Sequence, residues 1–271
     1  MTTLSHFPRR LMTLPAAVLC AATIASAQPQ ETFVPQVGQP GKDVVWVPTP
    51  PELVERMLDM AGVTPLDFVI DLGSGDGRNV IAAARRGARA LGVEYNPEMV
   101  KLSTRKAAEA GVAGRATFVE DDMYQADISQ ANVLALFLLP SNMLRLRDKF
   151  FDLRPGSRIV SNTFGIEGWT EDERVTIEGG CEAWCNALLW IVPAKVAGTW
   201  QLPQGALTLT QEFQMISGTL GATPVTGGKL RGEEITFTVG IAEFNGRVQG
   251  DTMSGRVTGG IGGVFSGTRQ D

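Results

Sequence analysis

The run Phe68-Val69-Ile70-Asp71-Leu72-Gly73-Ser74-Gly75-Asp76-Gly77 constrains the fold of this chain more than any other segment. An apolar stretch meets an acid, three glycines alternate with small polar residues, and a helix-like segment follows from Arg78 to Arg86. This pattern places a tight turn between a buried strand and a helix N-terminus, where open α/β sheets receive nucleotide-like ligands. Glycines suit such a turn because backbone must approach a ligand closely and can adopt positive φ there. The spacing is Gly-x-Gly-x-Gly. The third glycine of the dinucleotide fingerprint would fall on Arg78, which argues against a nicotinamide dinucleotide.

Strand-like runs at Phe68–Asp71, Ala90–Glu94, Ala116–Glu120, Val133–Leu138 and Arg158–Thr163 alternate with helical segments at Arg78–Arg86, Pro97–Ala110 and Asn142–Leu153. The alternation predicts an α/β fold, a Rossmann-like, doubly wound sheet covered on both faces. A preceding helix starts near Pro50, with Thr49 as its expected N-cap and Leu53, Val54, Met57, Leu58 and Ala61 on its apolar face. A further strand pair is expected within Arg174–Val192. After Pro193 the texture changes to short alternating stretches at Ala206–Thr210, Phe213–Leu220, Glu234–Val239, Glu243–Val248, Gly255–Val257 and Val264–Gly267. These predict a small antiparallel β-meander, closed as a barrel or packed as a sandwich. The expected organisation is an extended arm over 28–48, an α/β domain over 49–193 and a β domain over 194–271.

Residues 1–27 read as a signal peptide: Arg9 and Arg10, an apolar run from Leu11 to about Ala25, then the small-residue cleavage site Ala25-Ser26-Ala27. The expectation is an exported protein, periplasmic or in the cell envelope if the source is Gram-negative, with no transmembrane segment after cleavage. Its removal takes away the sole histidine, His6, and with it imidazole bases and histidine metal ligands. The net charge of −5 becomes −7, because the segment carries Arg9 and Arg10 and no acid. Such a balance argues against a general nucleic-acid footprint. Cys181 and Cys185 remain. An oxidising compartment favours a disulfide, which four-residue spacing permits across a turn but not along a strand; two separate buried thiols are the alternative.

The acids at three successive strand ends point to S-adenosylmethionine. Asp71 suits the ammonium of the methionine tail, Glu94 the two ribose hydroxyls, and Asp121 or Asp122 the adenine amine. The candidate cofactor set is Asp71, Gly73, Ser74, Gly75, Asp76, Gly77, Glu94 and Asp122, with no metal site. Over roughly 44–192 the chain resembles the seven-strand (class I) S-adenosylmethionine-dependent methyltransferases. Val47-Pro48-Thr49-Pro50, Leu138-Leu139-Pro140-Ser141 and Pro155-Gly156-Ser157-Arg158-Ile159-Val160-Ser161 are similar to exported bacterial members. They are more distantly similar to mitochondrial protein-lysine methyltransferases. The resemblance implies that Pro48 and Thr49 cover the methionine tail and that Leu139 and Pro140 line an acceptor channel. The bacterial members often carry a tyrosine at Phe137 and a His-Asp pair at Asn162-Thr163, which makes Asn162 a further acceptor-side candidate. Trp169 is a candidate to stack on an acceptor, plain packing being the alternative.

Methyl transfer from a sulfonium is an in-line displacement in which the protein chiefly positions and desolvates the reactants. The missing histidine is therefore no obstacle, although the residues identify no catalytic base. The expected activity is methylation of a protein or small-molecule acceptor, a protein lysine among the options. The competing expectation is an inactive exported protein that uses the fold and the β domain to recognise an envelope partner.

Overall fold

The computed structural model describes residues 1–4, 33–178, 181–260 and 262–270. The expected signal peptide, with His6, Cys20 and the Ala25-Ser26-Ala27 site, lies outside the described residues apart from its first four. Residues Phe33–Asp271 form one compact unit.

The α/β part runs α1 (Pro51–Met60), β1 (Phe68–Leu72), α2 (Arg78–Arg85), β2 (Arg89–Glu94), α3 (Pro97–Glu109), β3 (Ala116–Glu120), β4 (Val133–Leu136), α4 (Pro140–Phe151), β5 (Arg158–Asn162), β6 (Glu173–Thr176) and β7 (Asn186–Ile191). The seven strands lie in the order β3-β2-β1-β4-β5-β7-β6. Strands β1 to β5 pair in parallel, whereas β7 runs antiparallel to both β5 and β6. Alternate side chains of β1 serve two cores, as a pleated strand requires. Val69 packs with Leu53, Leu58 and Val80 of α1 and α2. Ile70 and Leu72 pack with Met143, Leu146 and Phe150 of α4. Burial on both faces explains why β4 reads as a continuous apolar run and β1 as one broken only by Asp71.

Thr49 is not the N-cap of α1. Pro50 holds that position with no side-chain capping bond, and Thr49 is turned inward and buried. Helix α4 starts at Pro140, two residues before the expected Asn142, because a proline at N1 brings the required φ and has no N–H to satisfy.

The second part is a closed eight-strand antiparallel barrel: β8 (Gly198–Leu202), β9 (Gly205–Glu212), β10 (Met215–Leu220), β11 (Thr223–Arg231), β12 (Glu234–Val239), β13 (Ala242–Gln249), β14 (Thr252–Thr258) and β15 (Gly263–Arg269). Closure is made by β15 on β8, with Thr268 opposite Gln201 and Arg269 opposite Trp200. The interior is filled by side chains, including Trp200, Leu207, Leu230 and Phe265. Phe237 stacks on Phe244 at 4.6 Å. Glycine makes room for this packing: a Cβ at Gly246 or Gly255 would lie 2.6 or 2.7 Å from the Phe265 ring. Strands β8 and β11 fall outside the expected stretches. Phe213, expected in a strand, instead occupies the β9–β10 turn at φ +51°.

Phe213 is the barrel's plug into the α/β part. It stacks on Trp169 at 5.0 Å, and Phe151 meets both rings edge-on at 5.3 and 5.7 Å. Gln214 Nε2 donates to the Thr170 carbonyl at 2.6 Å. Trp169 is 2% exposed, and its carbonyl accepts from Trp190 Nε1. This buried junction removes Trp169 from the acceptor candidates. Cys181 and Cys185 form a disulfide in the β6–β7 connection, where the turn brings their Cα atoms to 5.8 Å. Replacing Trp169 with Ala should cost about 3–5 kcal/mol, as for other buried aromatics. Urea denaturation should show that loss while S-adenosylhomocysteine affinity in the folded protein stays within about twofold.

Candidate active site

The glycine turn leaves β1 at Gly73 and enters α2 at Gly77, with φ of +73°, +53° and +81° at Gly73, Gly75 and Gly77. The Gly73 and Ser74 N–H groups both donate to the Val93 carbonyl, at 2.8 and 3.0 Å, which pins the turn to β2. The arm crosses directly above it. A Cβ at Gly75 would lie 2.7 Å from Trp46 Nε1, so only glycine allows this approach. Gln39, Trp46, Pro48 and Thr49 of the arm line the resulting pocket with Asp71, Gly73, Ser74, Gly75, Asp76, Asn79, Glu94 and Phe137.

Asp71 is 3% exposed at the floor. Burial pushes its carboxyl well above the usual range; the Asn79 Nδ2 hydrogen bond at 3.1 Å opposes this, and the charges of Glu94 and Asp76 add to it. An acid in that state gains strongly from a cationic ligand group. The side-chain oxygens Ser74 Oγ and Asn79 Oδ1 are buried with no hydrogen-bond partner, a demand for a polar ligand. Glu94 accepts from the Gly75 N–H at 2.8 Å through one oxygen and from the Asn96 N–H at 2.9 Å through the other. Those bonds orient the carboxylate and leave lone pairs free for a diol. Gly73 and Glu94 also line a neighbouring depression with Tyr95, Asp121 and Asp122, so the two form one trough along the β1–β3 strand ends. Asp122 pairs there with Lys42 of the arm at 2.9 Å; that hydrogen bond, with one from the Tyr124 N–H, lowers its pKa. The donors and acceptors fit S-adenosylmethionine: Asp71, Ser74 and Asn79 could hold the tail, Glu94 the ribose and Asp122 the adenine amine.

Two candidates do other work. Asp76 is saturated by the Arg78 guanidinium, at 2.9 and 2.8 Å, and by Lys106 at 2.7 Å. Burial alone would raise its pKa, but these bonds outweigh burial and lower it. Arg78 donates onward to the Thr49 carbonyl at 2.5 Å, so Asp76 anchors the arm through Arg78. A Cβ at Gly77 would strike the Phe118 ring at 2.7 Å and Ser103 at 2.8 Å. Gly77 thus lets α2 pack close to β3 and α3, and it is not a pocket residue.

On the acceptor side, Asn162 is fully buried; its Nδ2 donates to Thr49 Oγ1 at 3.3 Å and its Oδ1 has no partner. Leu139 is 39% exposed at the start of α4, and neither it nor Pro140 lines the pocket. Trp46, Arg78, Asn79 and Lys42 are the residues that the motif did not reveal. Asn79 lies one position into the helix, where a helix-length pattern conceals any ligand role. Among the described residues no His, Cys, Asp and Glu cluster could hold a metal.

Residues 71–173 match the ANTKMT methyltransferase domain model. A protein-lysine N-methyltransferase of Saccharolobus islandicus is 41% identical over 140 residues, which is 51% of this chain and 87% of that relative. The chain belongs to the class I S-adenosylmethionine-dependent methyltransferases. A solved structure described as an RNA methyltransferase from Salinibacter ruber with S-adenosylhomocysteine is 44% identical, covers 55% of the methyltransferase and 96% of its own chain, and has a TM-score of 0.52. The adenine nucleotide translocase lysine N-methyltransferase of Mus musculus is 35% identical over 133 residues, 48% of this chain and 57% of that one. The family match ends before the barrel. S-adenosylmethionine is therefore the methyltransferase's cofactor.

Glu94→Ala removes a charge-assisted acceptor from the trough and should weaken S-adenosylhomocysteine binding about 10- to 100-fold by calorimetry, as for a hydrogen bond to a charged group. Affinity should also fall with pH as Asp71 takes up its proton and loses its attraction for the ammonium, over a range above ordinary carboxylate titration. Asp71→Asn should flatten that profile.

Proposed function

We propose that this methyltransferase methylates the ε-amine of a protein lysine. The observation carrying this reading is the 41% identity to a protein-lysine N-methyltransferase across 87% of that relative's length. The named lysine substrates of the other relatives belong to those proteins. The acidic balance, −5 overall with a pI near 5.1, supports a cationic protein acceptor over a polyanion.

When bound, S-adenosylmethionine supplies a methyl group on a sulfonium: the N–C bond forms as the C–S bond breaks, leaving S-adenosylhomocysteine. The chain's own task is to present a neutral amine in line. Free lysine has a pKa near 10.4, so the acceptor must shed its proton to water, and desolvation beside apolar side chains such as Phe137 lowers that pKa. Asn162, buried behind the pocket wall, donates to Thr49 Oγ1 and so fixes a residue that lines the pocket. Its role is positioning. The enzyme reading is favoured over an inactive binding protein because the pocket keeps its charged and polar groups.

Export belongs to the same proposal. Arg9-Arg10 with the following apolar run and Ala25-Ser26-Ala27 supports it, as does a bridged Cys181–Cys185 pair, which suits an oxidising compartment. A route that carries folded, cofactor-loaded protein reconciles export with a cytosolic cofactor.

The test is transfer of labelled methyl from S-adenosylmethionine to an envelope protein extract, with and without prior chemical blocking of lysines. Label should vanish on blocking and survive ribonuclease. Label that survives blocking and disappears with ribonuclease would overturn the lysine reading in favour of RNA. Asn162→Ala removes the bond to Thr49 and should weaken S-adenosylhomocysteine binding up to about 10-fold by calorimetry, in line with one lost hydrogen bond.

A further inference from the structure

Strand order separates the two ends of the trough. The acids Glu94 and Asp122 follow β2 and β3 on one side of β1, whereas Phe137 and Phe164 follow β4 and β5 on the other. Phe137 lines the cofactor pocket and also belongs to an aromatic cluster outside it. Its ring stacks on Phe164 at 5.9 Å and meets Trp184 edge-on at 6.1 Å. Trp184 is 43% exposed, an open indole at the rim of a group that reaches the methyl-transfer pocket. It sits inside the loop closed by Cys181 and Cys185.

Backbone strain gathers at the same place. Among the described residues three non-glycine positions have positive φ; Phe213 serves the barrel junction, and the others are Thr163 at +59° and Trp184 at +57°. Such conformations cost free energy and persist where surrounding contacts enforce them, often at functional sites. Here the enforcing contacts are visible. The Thr163 N–H donates to the Asn186 carbonyl at 2.7 Å, Ser161 Oγ donates to the Phe164 carbonyl at 2.9 Å, and the disulfide ties the loop beside Trp184. The connection is also acidic and open, with exposed Glu178 and Glu182 on either side of Cys181.

We propose that Phe137, Phe164 and Trp184 form the wall that receives a lysine-type acceptor, and that the Cys181–Cys185 bridge is the positioning element that holds Trp184 in that wall. The proposal rests on the lysine reading above. Aromatic faces suit both the methylene stem and the cationic head of such a side chain, and the glutamates attract the charge during approach.

The experiment uses the full chain saturated with S-adenosylhomocysteine and titrated with Nα-acetyl-lysine amide. The Trp184 indole N–H resonance, assigned by its loss in Trp184→Ala, should shift saturably. Trp184→Ala should weaken the probe roughly 3- to 30-fold, the span of a cation–π contact, and Trp184→Phe should recover much of it. Cys181→Ser/Cys185→Ser should weaken the probe similarly while leaving S-adenosylhomocysteine affinity unchanged. A stationary Trp184 resonance and an unaltered acceptor KM in Trp184→Ala, with labelled methyl still reaching lysine, would overturn the wall and leave the lysine reading standing. Absence of label on lysine in the extract assay would remove both.

Discussion

The site depends on a carboxylate buried at the end of the central strand. Asp71 occupies a position where ionisation is costly, Asn79 beside it bonds to it, and the same pocket is lined by Ser74 and Asn79, whose Oγ and Oδ1 are buried and without partners. A fold optimised for stability alone would fill this place with an apolar side chain, because unpaired buried polar groups cost free energy. The arrangement becomes favourable when a ligand brings an ammonium and hydrogen-bond donors. The glycine turn above Asp71 removes the side chains that would block such a ligand, and its bonds to the Val93 carbonyl hold the opening in place.

The same turn organises the arm. Asp76, at the edge of the pocket, holds Arg78, which in turn holds the Thr49 carbonyl, while Trp46 rests against Gly75 and Lys42 pairs with Asp122. These contacts distribute the arm over the whole trough, from tail to adenine side. The barrel contributes differently. Its interior is filled by packed side chains, and its Phe213 plug seals the core beside α4.

The α/β architecture was legible because strands buried on both faces keep apolar centres, as in Val69-Ile70 and β4, at helix-length spacing, and the glycine turn marks the first of them. The barrel was read in outline only. In β11 the pair Gly227-Gly228 interrupts the alternation, and the ladders on either side shift register there. In β8 the short run around Trp200 has too few residues to show a period. Within the site, residue type indicated Asp71, Glu94 and Asp122, but it could not reveal direction. Asp76 and Gly77 belong to the motif yet serve packing, since the turn points them toward Lys106 and Phe118. Trp169 illustrates the same limit: Phe151 and the returning β9–β10 turn, remote in sequence, bury it together. The Cys181–Cys185 bridge depended on whether the segment was turn or strand, which local composition left open.

Calorimetric titration of S-adenosylmethionine into the full chain and into Gly75→Arg tests the glycine turn as the cofactor site most directly. The geometry predicts binding in the micromolar range that is lost in the variant, because an arginine at this positive-φ position fills the space above Asp71 and displaces Trp46. Unchanged affinity in a folded Gly75→Arg protein, or no binding by the native chain at millimolar ligand, would contradict the assignment of this turn as the cofactor site.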